Sequence, residues 1–175
     1  MRIRAAAVAD AAAITDIYAH YVRDTAITFD TDAPSAAEVA ERIEAGAGAF
    51  PWLVAEEDGA ILGYAYAAAF RARRAYRFAV ETTVYVGPGC EGRGVGSSLY
   101  RPLLETLEEQ GFTQAIAAVT LPNEASVRIH ERLGFVHAGT YAQVGWKLGR
   151  WLDVGLWQRP LARGENPPEE PRPLP

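Results

Sequence analysis

The segment TTVYVGPGCEGRGVGSSLY, residues 82–100, places Gly87, Gly89, Gly92, Gly94 and Gly96 between a β-branched run and an apolar helical pattern. A strand that turns through so many glycines into a helix commits the chain to a β-α unit with an open backbone at the turn. Gly87, Gly89 and Gly92 spell G-x-G-x-x-G, the fingerprint of a dinucleotide fold. That fingerprint belongs to an opening β-α turn, with the helix starting inside the motif. Here about eighty residues come first, Pro88 separates the first two glycines, and the helix pattern begins only near Gly94. A Walker A loop is excluded, because Arg93 and Gly94 stand where Lys and Ser or Thr are required. The remaining reading is a loop ending at Gly94-Val95-Gly96, whose unobstructed N–H groups and positive helix end meet a pyrophosphate. A glycine-rich connection that holds no ligand is the alternative.

The flanking sequence predicts the rest of the layout. After a short strand at residues 2–6, Ile14, Ile17, Tyr18 and Tyr21 recur at helical spacing over residues 8–22. Ser35 and Glu38 form a capping box for a second helix, with Gly46 as its left-handed stop. Asp58-Gly59 predicts a hairpin between strands 52–57 and 61–70, followed by a strand at 80–86. Val95, Leu99, Leu103, Leu104 and Leu107 give an amphipathic helix ending at Gly111, and AIAAV reads as a buried strand. A helix opened near Asn123 and closed by Gly134 precedes strands at 135–143 and 151–159. The expected architecture is a single α/β domain over residues 1–162, and the Pro-rich residues 163–175 are expected to be disordered.

Composition narrows the partners. A formal charge of −5 gives no general attraction to nucleic acid or an anionic membrane, although Arg71, Arg73, Arg74 and Arg77 make one local basic patch. The one cysteine, Cys90, excludes an internal disulfide and supports no metal site alone, which fits a reducing cytoplasm. Asp10 and Asp16 interrupt any early apolar run, so neither signal peptide nor membrane span is expected.

VYVGPGCEGRGVGSSLY resembles the acyl-CoA loop of the GNAT N-acetyltransferase superfamily, Q/R-x-x-G-x-G/A after a strand and before a helix. Gly94 and Gly96 fit this pattern, whereas Glu91 occupies the usual Gln or Arg position. The likeness continues through FPWLVAEEDG, ETTVYV, LPNEASVRIHERLGF and VGWKLGRWLDVGLWQ, and is closest to the phosphinothricin and methionine sulfoximine acetyltransferase family. It implies a GNAT fold: a mixed, mostly antiparallel central sheet with helices on both faces and splayed central strands. It also implies acetyl-CoA as cosubstrate, no metal, a small-molecule amine acceptor and a homodimer.

The resemblance assigns roles residue by residue. Glu81, at the head of ETTVYV, is implied as the general base, and its strand-end setting beside Val80 would raise its pKa by desolvation. A strand-end ion pair is the alternative. The backbone of Val84, Tyr85 and Val86 is implied to bind the pantetheine arm and polarise the thioester carbonyl. Gly92, Arg93, Gly94, Val95, Gly96 and Ser97 are implied at the phosphates, with Arg93 offsetting Glu91. Asn123 and Ser126 are implied along the CoA arm, Asn123 also being a plausible N-cap. His130 falls where the departing thiolate is protonated in the family, or else it is a packed helix residue. Arg71, Arg73 and Tyr76 are implied at the acceptor's acidic end, with Phe29 as an aromatic wall, and Lys147 and Arg150 lie in a loop implied to close over the pocket. The expected activity is acetylation of the α-amine of a small acidic amino acid or analogue, such as phosphinothricin or methionine sulfoximine. Another amine acceptor, or a CoA-binding module without catalysis, are the alternatives.

Overall fold

The computed structural model describes residues 1–162 and 168–174. Strands β1 (Arg2–Ala5), β2 (Trp52–Glu57), β3 (Ala60–Ala69), β4 (Ala79–Val86), β5 (Gln114–Leu121), β6 (Val136–Lys147) and β7 (Arg150–Pro160) form one sheet. Its order is β1-β2-β3-β4-β5-β7-β6, and every neighbouring pair is antiparallel except β4 and β5. The helices are α1 (Ala11–Asp24), α2 (Ala36–Gly46), α3 (Val95–Gln110) and α4 (Glu124–Arg132).

Local chemistry explains the boundaries. Ser35 Oγ accepts from the Glu38 N–H at 3.2 Å while Glu38 Oε2 accepts from the Ser35 N–H at 2.7 Å, so two orphan donors at the start of α2 are satisfied reciprocally. Asp58 and Gly59 take φ of 51° and 81°, the twist that a two-residue hairpin turn requires. Gly111, at φ 90°, ends α3 in the left-handed conformation. Gly46 does not do the same for α2: it stays helical, and the positive φ falls at Gly48. Glycine at 46 instead makes room for the Trp52 ring, whose Nε1 would lie 3.3 Å from an added Cβ.

Side-chain alternation along the strands feeds two cores. Ile14, Ile17, Tyr21, Val39 and Ile43 of α1 and α2 cover Val54 and Tyr64 on one face. On the other, Val95, Leu99, Leu103 and Leu107 of α3 cover Ala65, Val80, Ala115 and Ala117. Leu99, Leu103 and Leu107 are wholly buried, each contributing about 1.5–3 kcal/mol through transfer from water.

Two segments differ from expectation. β6 runs on past residue 143 to Lys147, because Leu148 and Gly149 make the tight turn that pairs Lys147 with Arg150. A bulge between Tyr141 and Gly145, with Gln143 at φ 50°, interrupts the alternation that would have marked the extension. Residues 168–174, expected to be disordered, lie on the body. The Arg172 N–H donates to Gln110 O at 2.7 Å, the Leu174 N–H donates to Gly48 O at 2.8 Å, and Glu170 pairs with Arg77 at 2.8 Å. These contacts are made by backbone and charge, so the lack of apolar residues did not reveal them. The expectation for 163–167 and 175 lies outside the described residues.

The sheet opens at its centre. β4 and β5 share only Ala79↔Gln114, Val80↔Ala115 and Glu81↔Ile116. Beyond that point β4 stays on β3 and β5 stays on β7, leaving two facing edges unpaired in a wedge.

Candidate active site

The wedge leads into a cleft of about 480 Å³. Val84, Tyr85 and Val86 of β4 line one wall; Glu91, Gly92 and Gly94 to Ser97 line the mouth; Asn123, Ser126, Ile129 and Arg132 of α4 line the other wall. Gly92 and Gly94 have φ of 74° and 80°, conformations that cost other residues strain. Gly96 is required differently, since an added Cβ would stand 2.9 Å from Ile129 Cδ1 where α3 and α4 meet. The result is a bare helix N-terminus facing a cleft, the geometry that suits a phosphate. Asn123 caps α4, its Oδ1 accepting from the Ser126 N–H at 3.1 Å. The unpaired β4 edge and this cradle fit the arm and phosphates of an acyl-CoA.

Arg93 does not join that wall. Its guanidinium is paired with Glu57 at the β2–β3 hairpin, which holds it outside the cleft that Glu91 faces. The expected offset of Glu91 by Arg93 is therefore not made.

His130 also departs from its expected place. The ring is only 4% exposed, and it is not among the residues lining the cleft. Nδ1 lies 2.7 Å from the Ser126 carbonyl, which can only accept, so Nδ1 donates. Nε2 lies 3.0 Å from the Tyr100 hydroxyl, which is itself 2.8 Å from Thr82 Oγ1. Burial holds the imidazole below its ordinary pKa. A ring enclosed by α3, α4 and β4 is poorly placed to hand a proton to a group in the cleft.

Glu81 sits at the apex, in the last residue pair before β4 and β5 part, and like His130 it is not among the residues lining the cleft. It is half-buried, and burial raises its pKa while Arg71 opposes the rise. Arg71, Arg73 and Tyr76 are exposed on the segment between β3 and β4. Arg71 lies over the Phe70 ring at 4.9 Å, and Tyr76 meets the same ring edge-on at 5.8 Å. Arg71 and Arg73 form no ion pair among the described residues, unlike Arg77, which Glu170 engages. Phe29 rests against Gly145, where an added Cβ would be 2.1 Å from its ring. Lys147 fixes the same loop by donating to Thr28 O at 2.7 Å, and burial lowers its pKa.

Sequence reasoning missed several cleft residues. Tyr21, whose hydroxyl donates to Val86 O at 2.6 Å, lines the cleft with His20, Thr25 and Ile27 from the end of α1. Nothing in the helical pattern distinguishes Tyr21 from an ordinary core aromatic. Ile129 was legible in principle, because it follows Ser126 by about one helical turn; Arg132 was not, because a three-residue repeat drifts around the helix axis. Among the described residues no cluster of His, Cys, Asp or Glu is placed to hold a metal, and no helix is long and apolar enough to cross a membrane.

A strand wedge closed by a glycine-lined helix start, with a half-buried carboxylate at its apex, defines an acyl-CoA-dependent transferase site. Residues 3–156 match the family model described as an acetyltransferase (GNAT) domain, and the chain belongs to that family. It is 42% identical over 174 residues to the phosphinothricin N-acetyltransferase of Streptomyces viridochromogenes, covering 99% of this chain and 93% of that one. To the L-methionine sulfoximine/L-methionine sulfone acetyltransferase of Salmonella typhimurium it is 39% identical over 166 residues, covering 92% and 95%. A phosphinothricin acetyltransferase from Sinorhizobium meliloti, solved in complex with acetyl-CoA, superposes with a TM-score of 0.91 at 40% identity, covering 97% and 93%.

Proposed function

We propose that this chain moves the acetyl group of acetyl-CoA directly to the α-amine of a small acidic amino acid or analogue, of the phosphinothricin or methionine sulfoximine type. The observation that carries the reading is Glu81, a partly desolvated carboxylate at the one place where β4 and β5 part, within electrostatic reach of Arg71. The kinship with acetyltransferases of both kinds supports it.

The acceptor's acidic group docks on Arg71 and Arg73, whose planar forks match carboxylate or phosphinate oxygens. Glu81 takes the proton from the α-ammonium, and its raised pKa brings it closer to that task. The freed amine attacks the thioester carbonyl, whose oxygen gains charge against an N–H of Val84 or Tyr85 on the unpaired β4 edge. The C–S bond then breaks and the sulfur leaves as CoA thiolate, while the surplus proton on the attacking nitrogen passes through solvent to that thiolate, giving the neutral amide and CoA thiol. We assign His130 to holding α4 against α3, through Nε2 to Tyr100, while its Nδ1 donates back to Ser126 of its own helix.

The chain is proposed to work as a homodimer. Tyr141, Val144, Trp146, Leu148 and Trp151 expose large apolar side chains along the β6–β7 hairpin, a surface suited to a second copy. Sedimentation giving a monomer at all micromolar concentrations would remove that assignment. The cytoplasm, where acetyl-CoA is supplied, is the proposed location, and resistance to a toxic amino-acid analogue is the proposed consequence of acetylating it.

The test is a thiol-release assay with acetyl-CoA against phosphinothricin, methionine sulfoximine, ordinary amino acids, peptides and polyamines. The acidic analogues should give the highest kcat/KM. Preference for a polyamine would overturn the acceptor assignment, and absence of acetyl transfer to any amine would reduce the chain to a CoA-binding module.

A further inference from the structure

An amino acid carries an ammonium beside its acid, and a pocket furnished with arginines alone meets only half of that charge pattern. With the acid on Arg71 and Arg73, the ammonium is left for a carboxylate that docks it before Glu81 takes its proton. The segment between α1 and α2 supplies one at Asp30.

Hydrogen-bond directions there are fixed by chemistry. The Asp30 carboxylate can only accept, so the Tyr18 hydroxyl, 2.7 Å from Asp30 Oδ2, gives it its one hydrogen. Tyr18 in turn accepts from Thr28 Oγ1 at 2.7 Å, and Thr28 Oγ1 accepts from the Asp30 N–H at 3.3 Å. These three bonds close a ring that grips Oδ2 and leaves Oδ1 without a hydrogen bond among the described residues. The Lys147 ammonium fixes the same segment from the β6–β7 side, through Thr28 O. Asp30 is exposed, and among the described residues no cation lies within 4.0 Å of its carboxylate.

The sheet relates this carboxylate to the base. Glu81, Thr83 and Tyr85 alternate onto one face of β4, opposite Ala68, Tyr66 and Tyr64 of β3. Tyr18 meets the Tyr85 ring edge-on at 5.1 Å, so α1 and the segment tied to it cover the face that bears Glu81. On that face the Tyr66 phenol feels the charges of both Glu81 and Asp30.

We infer that Asp30 is the ammonium-docking residue of the acceptor pocket, held in place by Tyr18 and Thr28, and that it selects α-amino acids and turns their amine toward Glu81. The inference rests on the acceptor reading proposed above and deepens it. An amine without an acid gains only Asp30, and an acid without an amine gains only the arginines; an amino acid gains both.

The experiment is steady-state kinetics of the full chain and of Asp30→Asn, Tyr18→Phe and Asp32→Asn with phosphinothricin varied, and with its des-amino analogue as competitive inhibitor. Asp30→Asn removes the charge at nearly constant shape and should raise KM about tenfold or more, the loss of one charge-assisted contact, with a smaller change in kcat. Tyr18→Phe should raise KM by a smaller factor, because it frees the carboxylate without removing it. Asp32, whose carboxylate accepts from Thr31 Oγ1 at 3.0 Å, is the charge control, and Asp32→Asn should leave KM within about twofold because exposed charges out of contact are screened. The des-amino analogue keeps the acid and lacks the ammonium, so it should inhibit the parent and Asp30→Asn with the same constant. Equal KM in parent and Asp30→Asn, or an equal loss for the des-amino analogue, would overturn the inference while leaving the transferase reading intact. A parent that acetylates other amines and no acidic amino acid would overturn the acceptor reading and the inference with it.

Discussion

Glu81 and Ile116 form the last residue pair that β4 and β5 share, so the carboxylate proposed as base stands where the sheet begins to open. Thr82, the next residue, reaches back to Ile116 O at 3.3 Å through its hydroxyl and so fixes the apex of the wedge. One short parallel pairing thus places a titratable group at the start of an unpaired strand edge.

The acceptor end should be separable from the cofactor end. Arg73→Ala, and more weakly Arg71→Ala, should raise KM for phosphinothricin or methionine sulfoximine about tenfold to a hundredfold, since a charge-assisted hydrogen bond contributes roughly 1.5–3 kcal/mol. Acetyl-CoA affinity should hold. Steady-state kinetics with each substrate varied decides it, and loss of cofactor affinity in Arg73→Ala would put the arginines at the wrong end.

Gly96→Val should weaken acetyl-CoA binding, because its side chain would both push on Ile129 and enter the cleft mouth. The clash with Ile129 also predicts a loss of stability of about 1–3 kcal/mol, the usual cost of overpacking, read as a lower melting temperature. Titration of a variant confirmed as folded should show at least a tenfold weaker constant; unchanged affinity would remove the loop from the cofactor site.

His130→Gln should act on stability before chemistry. Losing the imidazole disturbs the Tyr100 and Ser126 partners in a dry site, a cost of about 1–3 kcal/mol in unfolding free energy. The pH dependence of kcat should keep its shape. A rate deficit of a hundredfold with an unchanged melting temperature would instead make the ring a proton donor.

Acid should loosen the β1 corner. Arg4 holds the Asp10 carboxyl below its ordinary pKa through hydrogen bonds at 2.7 and 2.9 Å, and the Ala7 N–H adds a third at 2.8 Å. A lowered native pKa means stability that is present above the unfolded value near 4 and is lost as pH falls through the native value. Asp10→Asn should therefore cost about 1–3 kcal/mol at pH 7 and make stability less sensitive to pH below about 4, read by denaturant titration at several pH values.

Much of this fold was written in short-range signals. The Ser35–Glu38 box, the Asp58-Gly59 turn and the Gly111 stop each act within a few residues, so their elements stand where the pattern puts them. The β6 extension and the docked tail depend on a bulge and on contacts between residues such as Arg77 and Glu170, far apart in the chain. At the site, the glycine cradle was legible because glycine content constrains the backbone directly, whereas Glu81 was singled out only by the family resemblance. The partners of Arg93 and His130 were not legible, because Glu57 and Tyr100 come from other elements and only packing decides which way a side chain turns.

The central claim is that Glu81 deprotonates the acceptor, and the pH–rate profile of Glu81→Gln tests it most directly. Burial raises the native pKa of Glu81, so the parent should lose kcat/KM as pH falls through that raised value and the base is protonated. Glu81→Gln should bind acetyl-CoA as the parent does and show kcat/KM lower by about 10²-fold or more near pH 7, within the range of lost acid–base catalysis. That deficit should shrink at high pH, where the amine arrives already deprotonated. A Glu81→Gln enzyme with the parent's kcat/KM at pH 7 would contradict the account.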